Sequence, residues 1–186
     1  PEAVRLIHRL YEAGVDALIV QDVGLLECDL PPLPLIASTQ MHNHTPARIA
    51  FLEQVGFQRA ILARELSLDQ VRAIRAATEI ELETFVHGAL CVCYSGQCYL
   101  SYALGGRSGN RGECAQPCRG KYTLIDGDGR PVVKDRYLLS LRDLKLSGHL
   151  EELLDAGITS FKIEGRLKDW GTQTVFLQSR QARQLS

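Results

Sequence analysis

Nowhere in this chain does an apolar run approach the roughly 20 residues that cross a bilayer. No basic leader with an apolar centre opens it either, which points away from secretion and towards the cytoplasm. The chain begins without methionine, inside an apparent helix (PEAVRLIHRLYEAG), and is expected to be a piece of a longer protein. Charge of one sign is lacking too: the formal net charge is −1, so nothing global announces a nucleic acid or an acidic partner. No H-E-x-x-H and no G-x-S-x-G occurs, which leaves metalloprotease and serine-hydrolase chemistry without a motif. No Gly-rich dinucleotide fingerprint follows an early strand.

What is present is an ordinary globular composition, 45% apolar and 23% charged over 186 residues, enough for one domain with a real core. Helix, glycine and apolar strand recur in that order three times: Ala13-Gly14-Val15 before ALIV (17–20), Val55-Gly56-Phe57 before AILA (60–63), and Ala156-Gly157-Ile158 before SFKIEG (160–165). Glycine ends a helix cheaply in the left-handed conformation, and the continuous apolar run after it reads as a parallel strand buried on both faces. PLIAST (34–39) and ELETFVHG (81–88) are further strand candidates. Thr45-Pro46 and Ser67 are helix-start signals. Alternating strands and helices predict an α/β domain with a parallel sheet, best arranged as a (β/α) TIM-barrel-like domain or an incomplete fragment of one. A doubly wound open sheet is the alternative. Asp126-Gly127-Asp128-Gly129 between β-rich runs predicts a hairpin insertion over 121–135.

The chemistry-bearing feature is a Cys-rich loop over 89–120 that holds Cys91, Cys98, Cys114 and Cys118, spaced C-x6-C-x15-C-x3-C among glycines. Six cysteines without a secretory leader fit a reducing compartment, where clustered thiols more often mean metal than disulfide. Zinc knuckles place their cysteines two to four residues apart. Only Cys114 and Cys118 are that close, which favours an iron–sulfur cluster over zinc, with a disulfide as the third reading. Cys28 and Cys93 lie outside the pattern and read as small apolar fillers.

In a (β/α) barrel the site lies at the C-terminal strand ends. Those ends carry Gln21-Asp22, Ser38-Thr39-Gln40, Arg64-Glu65 and Glu164-Gly165-Arg166, a set suited to a carboxylate- or phosphate-bearing ligand. Arg107, Arg111, Arg119 and Lys121, against Glu113, make a local basic patch that could meet phosphates or simply be solvated. His87 precedes Cys91 by four residues; it is read as a support for the site or the packing rather than as the base of a Cys–His pair.

The stretch ETFVHGALCVCYSGQCYLS (83–101) resembles the signature of peptidase family U-32, catalogued as collagenase-like peptidases: Glu83-x-Phe85-x-x-Gly88-Ala89-Leu90-Cys91, four residues, then Gly96-x-Cys98-x-Leu100-Ser101. The resemblance continues through NRGECAQPCR (110–119) and SFKIEGR (160–166), and runs from about Val15 to about Lys168. It implies a TIM-barrel-like core and an oxygen-sensitive [4Fe–4S] cluster on Cys91, Cys98, Cys114 and Cys118. It also implies RNA hydroxylation: this chain is most similar to a branch that makes 5-hydroxycytidine in 23S rRNA, while a sister branch modifies tRNA uridine. Prephenate is implicated there as the hydroxyl donor. On that pattern Arg64, Arg166 and Gln40 become candidate co-substrate ligands, with Glu83, Glu164 and His87 as acid/base or orienting groups. The basic patch becomes a phosphate contact, and a base lifted out of its stack becomes the target. Family members begin with one or two more strands and often carry a C-terminal domain, both expected to be missing here. A peptidase, as the family name says, and a metal-stabilised scaffold or RNA-binding module are the competing readings.

Overall fold

In the computed structural model, which describes residues 2–164, three helices end just before glycines with positive φ: Gly14 (80°), Gly56 (100°) and Gly157 (91°). These are the residues of the recurring helix–Gly–strand pattern, and the left-handed turn at each lets the chain double back into the sheet. The elements run α1 (Glu2–Glu12), β1 (Leu18–Val20), β2 (Leu35–Ala37), α2 (Pro46–Gln54), β3 (Arg59–Ile61), α3 (Leu68–Arg75), β4 (Glu81–Gly88) and α4 (Leu100–Gly105). After them come β5 (Tyr122–Ile125), β6 (Pro131–Arg136), β7 (Leu144–Lys145), α5 (Leu150–Asp155) and β8 (Ser160–Glu164).

The helix starts are encoded locally. Thr45 caps α2 by accepting a hydrogen bond from the Arg48 amide at 3.2 Å, with Pro46 at the first helical position. Ser67 and Gln70 form a reciprocal capping box at the start of α3, which then buries Val71 and Ile74.

Five strands are parallel and neighbour one another in the order β1-β2-β3-β4-β8, and the short β7 pairs antiparallel with the end of β4. Strand order never reverses among the described residues, whereas a doubly wound sheet must reverse at its switch point. The fold is therefore an α/β half-barrel wound in one direction, and the open doubly wound alternative is set aside. β5 and β6 form a separate antiparallel ribbon. Its turn is closed by the Asp126 carboxylate, which accepts from the Asp128 and Arg130 amides at 3.0 and 2.8 Å.

One face of the sheet is the core. Val20, Ala37, Ala60 and Leu82 lie in register across four strands and pack with Ile49, Leu52 and Ile74 of the helices. The other face departs from the sequence reading, which buried the strands on both sides. Ile19 is 53% exposed, and the residues in register with it are Ile36, Arg59 and Glu81. This is the inner face of a half-barrel that the described strands do not close, so it carries charge as well as apolar side chains. Arg59, Lys162 and Ser160 converge there on Glu83.

Candidate functional site

The site grows from the end of β4, where the chain must leave the sheet against two crowded backbones. Gly88 has φ 106°, and a Cβ there would run into the Glu164 carbonyl of β8. Gly96 has φ 75°, and a Cβ there would collide with the Gln40 carbonyl beyond β2. Glycine at both positions lets the cysteine loop lie against the strand ends. A bulge between Phe85 and His87 shifts the register with β8 just before that exit.

Ser95 anchors the loop. It is buried, its amide and hydroxyl each donate to the Glu65 carboxylate at 2.9 Å, and its carbonyl accepts from His42 Nδ1 at 2.8 Å. The Cys98 amide donates to Asn110 Oδ1 at 3.1 Å, and the Ala115 amide to the buried Ser101 hydroxyl at 2.9 Å, which draws the second half of the loop onto the first. Arg119 completes the closure by donating to the carbonyls of Leu90 (2.7 Å) and Leu141 and to the Ser140 hydroxyl (2.8 Å).

The result is a cavity of about 650 Å³ whose walls include Cys91, Cys98, Cys114 and Cys118 together. All six cysteines of the chain are free thiols. Burial, then Cys91 together with Cys114 and Cys98, pushes the Cys118 thiol up, and Arg119 opposes this. A cationic centre bound among these sulfurs would favour the Cys118 thiolate. The Gln116 amide lies 3.3 Å from Cys114 Sγ, the kind of donor that tunes a ligating sulfur. Among the described residues, no three His, Cys, Asp or Glu side chains stand close enough to hold a single metal ion. Four thiols lining one cavity are the donor set that an iron–sulfur cluster takes, and that zinc takes too.

Of the other residues singled out from the sequence, Gln40, Arg64, Arg107, Arg119 and Glu164 also line the cavity. Arg64 stacks its guanidinium 4.3 Å over the Phe85 ring. Arg64 Nε and Gln40 Oε1 are both buried without a hydrogen-bond partner. Arg107 donates from Nε to the Glu113 carbonyl at 3.0 Å and lines the cavity.

Others lie elsewhere. Glu83 is 6% exposed on the inner sheet face, where Lys162, Ser160 and Arg59 surround it. Burial alone would raise its pKa, yet Lys162, Ser160 and Arg59 together hold it below the usual carboxylate range. His87 sits opposite Lys145 and Ile163 where β7 and β8 flank β4, away from the cavity lining. Arg111 is exposed, and Lys121 pairs with Asp135 at 3.2 Å on the hairpin. Arg166 lies outside the described residues.

The filler reading of two cysteines needs correction. Cys28 is exposed, and Cys93 is half-buried, its thiol pushed up by burial and by neighbouring Cys98 and Cys91. Sequence reasoning also missed Ser95 and Asn110, whose only signal was polarity in a Gly-rich stretch, and named Glu65 only as a strand-end ligand group, not as the anchor of Ser95.

The fold and this cavity define a member of peptidase family U32: the family model matches residues 1–178, and the chain belongs to that family. Over 167 residues it is 58% identical to the 23S rRNA 5-hydroxycytidine C2501 synthase of Escherichia coli (strain K12), which covers 90% of this chain and 26% of that protein. It is 38% identical over 171 residues to the tRNA hydroxylation protein P1 of Bacillus subtilis (strain 168), 87% of this chain and 40% of that one. The chain thus spans less than half the length of either relative. Among solved structures, the U32 peptidase Mk0906 matches 90% of this chain and 63% of its own with a TM-score of 0.52 at 18% identity, a likeness of fold.

Proposed function

We propose that this chain is the cluster-bearing part of an enzyme that hydroxylates a pyrimidine base in RNA, forming 5-hydroxycytidine in 23S rRNA, with tRNA as the related substrate. The observation that carries the reading is the convergence of four free thiols on one cavity whose wall also holds two orphaned polar atoms, Arg64 Nε and Gln40 Oε1. The names of the two relatives, both RNA-hydroxylating, support it.

In this reading residues 1–186 are one unit of a (β/α) barrel, with residues 89–120 as the cluster-binding loop, 121–135 as the hairpin, and further strands and a C-terminal domain in the full-length protein. Cys91, Cys98, Cys114 and Cys118 hold a [4Fe–4S] cluster. When bound, such a cluster supplies an oxidising or Lewis-acidic centre beside the base. Arg64, with Gln40, orients a carboxylate-bearing co-substrate such as prephenate, and Arg166 lies close in sequence to the same strand end. Glu164, which lines the cavity, serves as an acid/base or orienting group in this reading. Arg107 neutralises a phosphate at the mouth, with Arg111 on the same exposed loop. The protein acts in the cytoplasm, where thiols stay reduced.

A peptidase would need a nucleophile with a base in reach. Of the nearest pair in sequence, Cys91 lines the cavity and His87 is not among its lining residues.

The test is RNA from a strain lacking the full-length gene, digested to nucleosides and analysed by mass spectrometry. Restoration of the hydroxylated nucleoside by the wild-type gene, and not by a Cys98→Ser gene, supports the reading. Unchanged nucleosides in the deletion strain overturn it.

A further inference from the structure

We infer that a second cavity beside the cysteines is a ribose–phosphate subsite, built to tell RNA from DNA; this rests on the RNA reading above. The cavity has a volume of about 400 Å³ and sits at the C-terminal ends of β1 and β2. Its walls carry His42, His44, Arg48 and the amides of Gln21, Gln40 and Gln97. None of its lining residues is a carboxylate, so it suits an anion and hydroxyl groups rather than a cation.

The two imidazoles are set for one task. His42 Nδ1 lies 2.8 Å from the Ser95 carbonyl and His44 Nδ1 3.1 Å from the His42 carbonyl. A carbonyl oxygen only accepts, so both Nδ1 atoms carry the proton, and in the neutral ring each Nε2 is left as an acceptor. The rings lie 3.8 Å apart at 39°, and both histidines line the same cavity as the Arg48 cation. Ribose hydroxyl donors next to a phosphate complement this set, and the 2′-hydroxyl is the group by which RNA differs from DNA. The backbone supports the arrangement: His42 has φ 58°, a conformation non-glycine residues avoid, held through the buried Ser95–Glu65 contacts.

The subsite adjoins the cysteine cavity. Gln40 lines both, and Tyr94, 66% exposed on the cysteine side, meets the His42 ring edge-on at 6.3 Å. A nucleotide anchored by its sugar and phosphate here directs its base towards the thiols, with Tyr94 offering a stacking face at the divide.

The experiment measures binding of a fluorescent pyrimidine hexaribonucleotide, and of the same hexamer made with deoxyribose, to the intact protein by anisotropy. Wild type is expected to prefer the ribonucleotide by about tenfold, the worth of one or two well-made hydrogen bonds. The His42→Ala/His44→Ala double variant should lose that preference while keeping its affinity for the deoxy strand. Arg48→Ala should weaken both strands alike and lower the salt-dependence slope by about one. Because alanine at His42 could disturb the loop, His44→Gln, which retains an acceptor, is made in parallel and should keep part of the preference. A double variant that still prefers the ribonucleotide overturns the subsite, as does Zn²⁺ binding at the His pair that wild type shows and the double variant lacks. If wild type binds neither strand, the RNA reading itself fails; if Cys98→Ser abolishes base hydroxylation while the His variants keep the preference, only the subsite falls.

Discussion

The Lys162 ammonium lies 3.1 Å from the Glu83 carboxylate, tying β8 to β4 across the inner face of the sheet. Ser160 and Arg59 bond the same carboxylate, so Glu83 is the hub of three strands. Glu83→Gln leaves two cations facing a neutral amide and should cost about 1–3 kcal/mol of stability. The sign with pH follows from the lowered folded pKa. A carboxyl whose pKa lies below its unfolded value stabilises the fold above that value and loses the contribution as pH falls through the folded one. Wild type should therefore weaken as pH drops below the ordinary 4.5, and Glu83→Gln should show a shallower acid limb in urea melts taken across that range. An unchanged limb would sink the assignment.

Gly88→Ala should be among the most damaging single-atom-scale changes in the chain. Its φ of 106° disfavours any Cβ, and the Glu164 carbonyl occupies the space. A cost of at least about 2 kcal/mol is expected, read as a lowered urea midpoint. Gly105→Ala is the control, since nothing lies within reach of a Cβ there and its φ is not in the left-handed range. Equal midpoints for the two variants would contradict the crowding argument.

Arg64→Lys is expected to fail as a conservative replacement. The planar guanidinium stacks on Phe85 at the cavity wall, and an ammonium does not reproduce that stacking or its fork of donors. With a carboxylate co-substrate, KM should rise about tenfold for Arg64→Lys and at least as much for Arg64→Ala, the scale of one lost charge-assisted bond. A changed kcat with unchanged KM would place Arg64 in a different role.

The helix–Gly–strand units were legible because each rests on local rules: a left-handed glycine after the helix and an apolar run after the glycine. Strand β4 was readable from 81 to 88 without such a glycine. The exposed inner face was not, because Ile19 has the same side chain whether or not a barrel closes over it. The four cysteines could be read from their spacing, and the cavity they share contains them. The Glu65–Ser95–His42 chain escaped notice because its residues are 30 and 53 positions apart and nothing local marks them. Arg119 illustrates the opposite error. Read as a phosphate contact, it spends its donors on Leu90, Ser140 and Leu141 as a staple of the loop.

The central claim is that Cys91, Cys98, Cys114 and Cys118, and not Cys93, hold an iron–sulfur cluster. Its most direct test is iron, sulfide and zinc content with an absorption spectrum on intact protein purified without oxygen, for wild type, Cys98→Ala and Cys93→Ala. The account predicts about four iron and four sulfide per chain in wild type and Cys93→Ala, with both lost from a still-folded Cys98→Ala. Zinc in place of iron, or iron unchanged in Cys98→Ala, would contradict it.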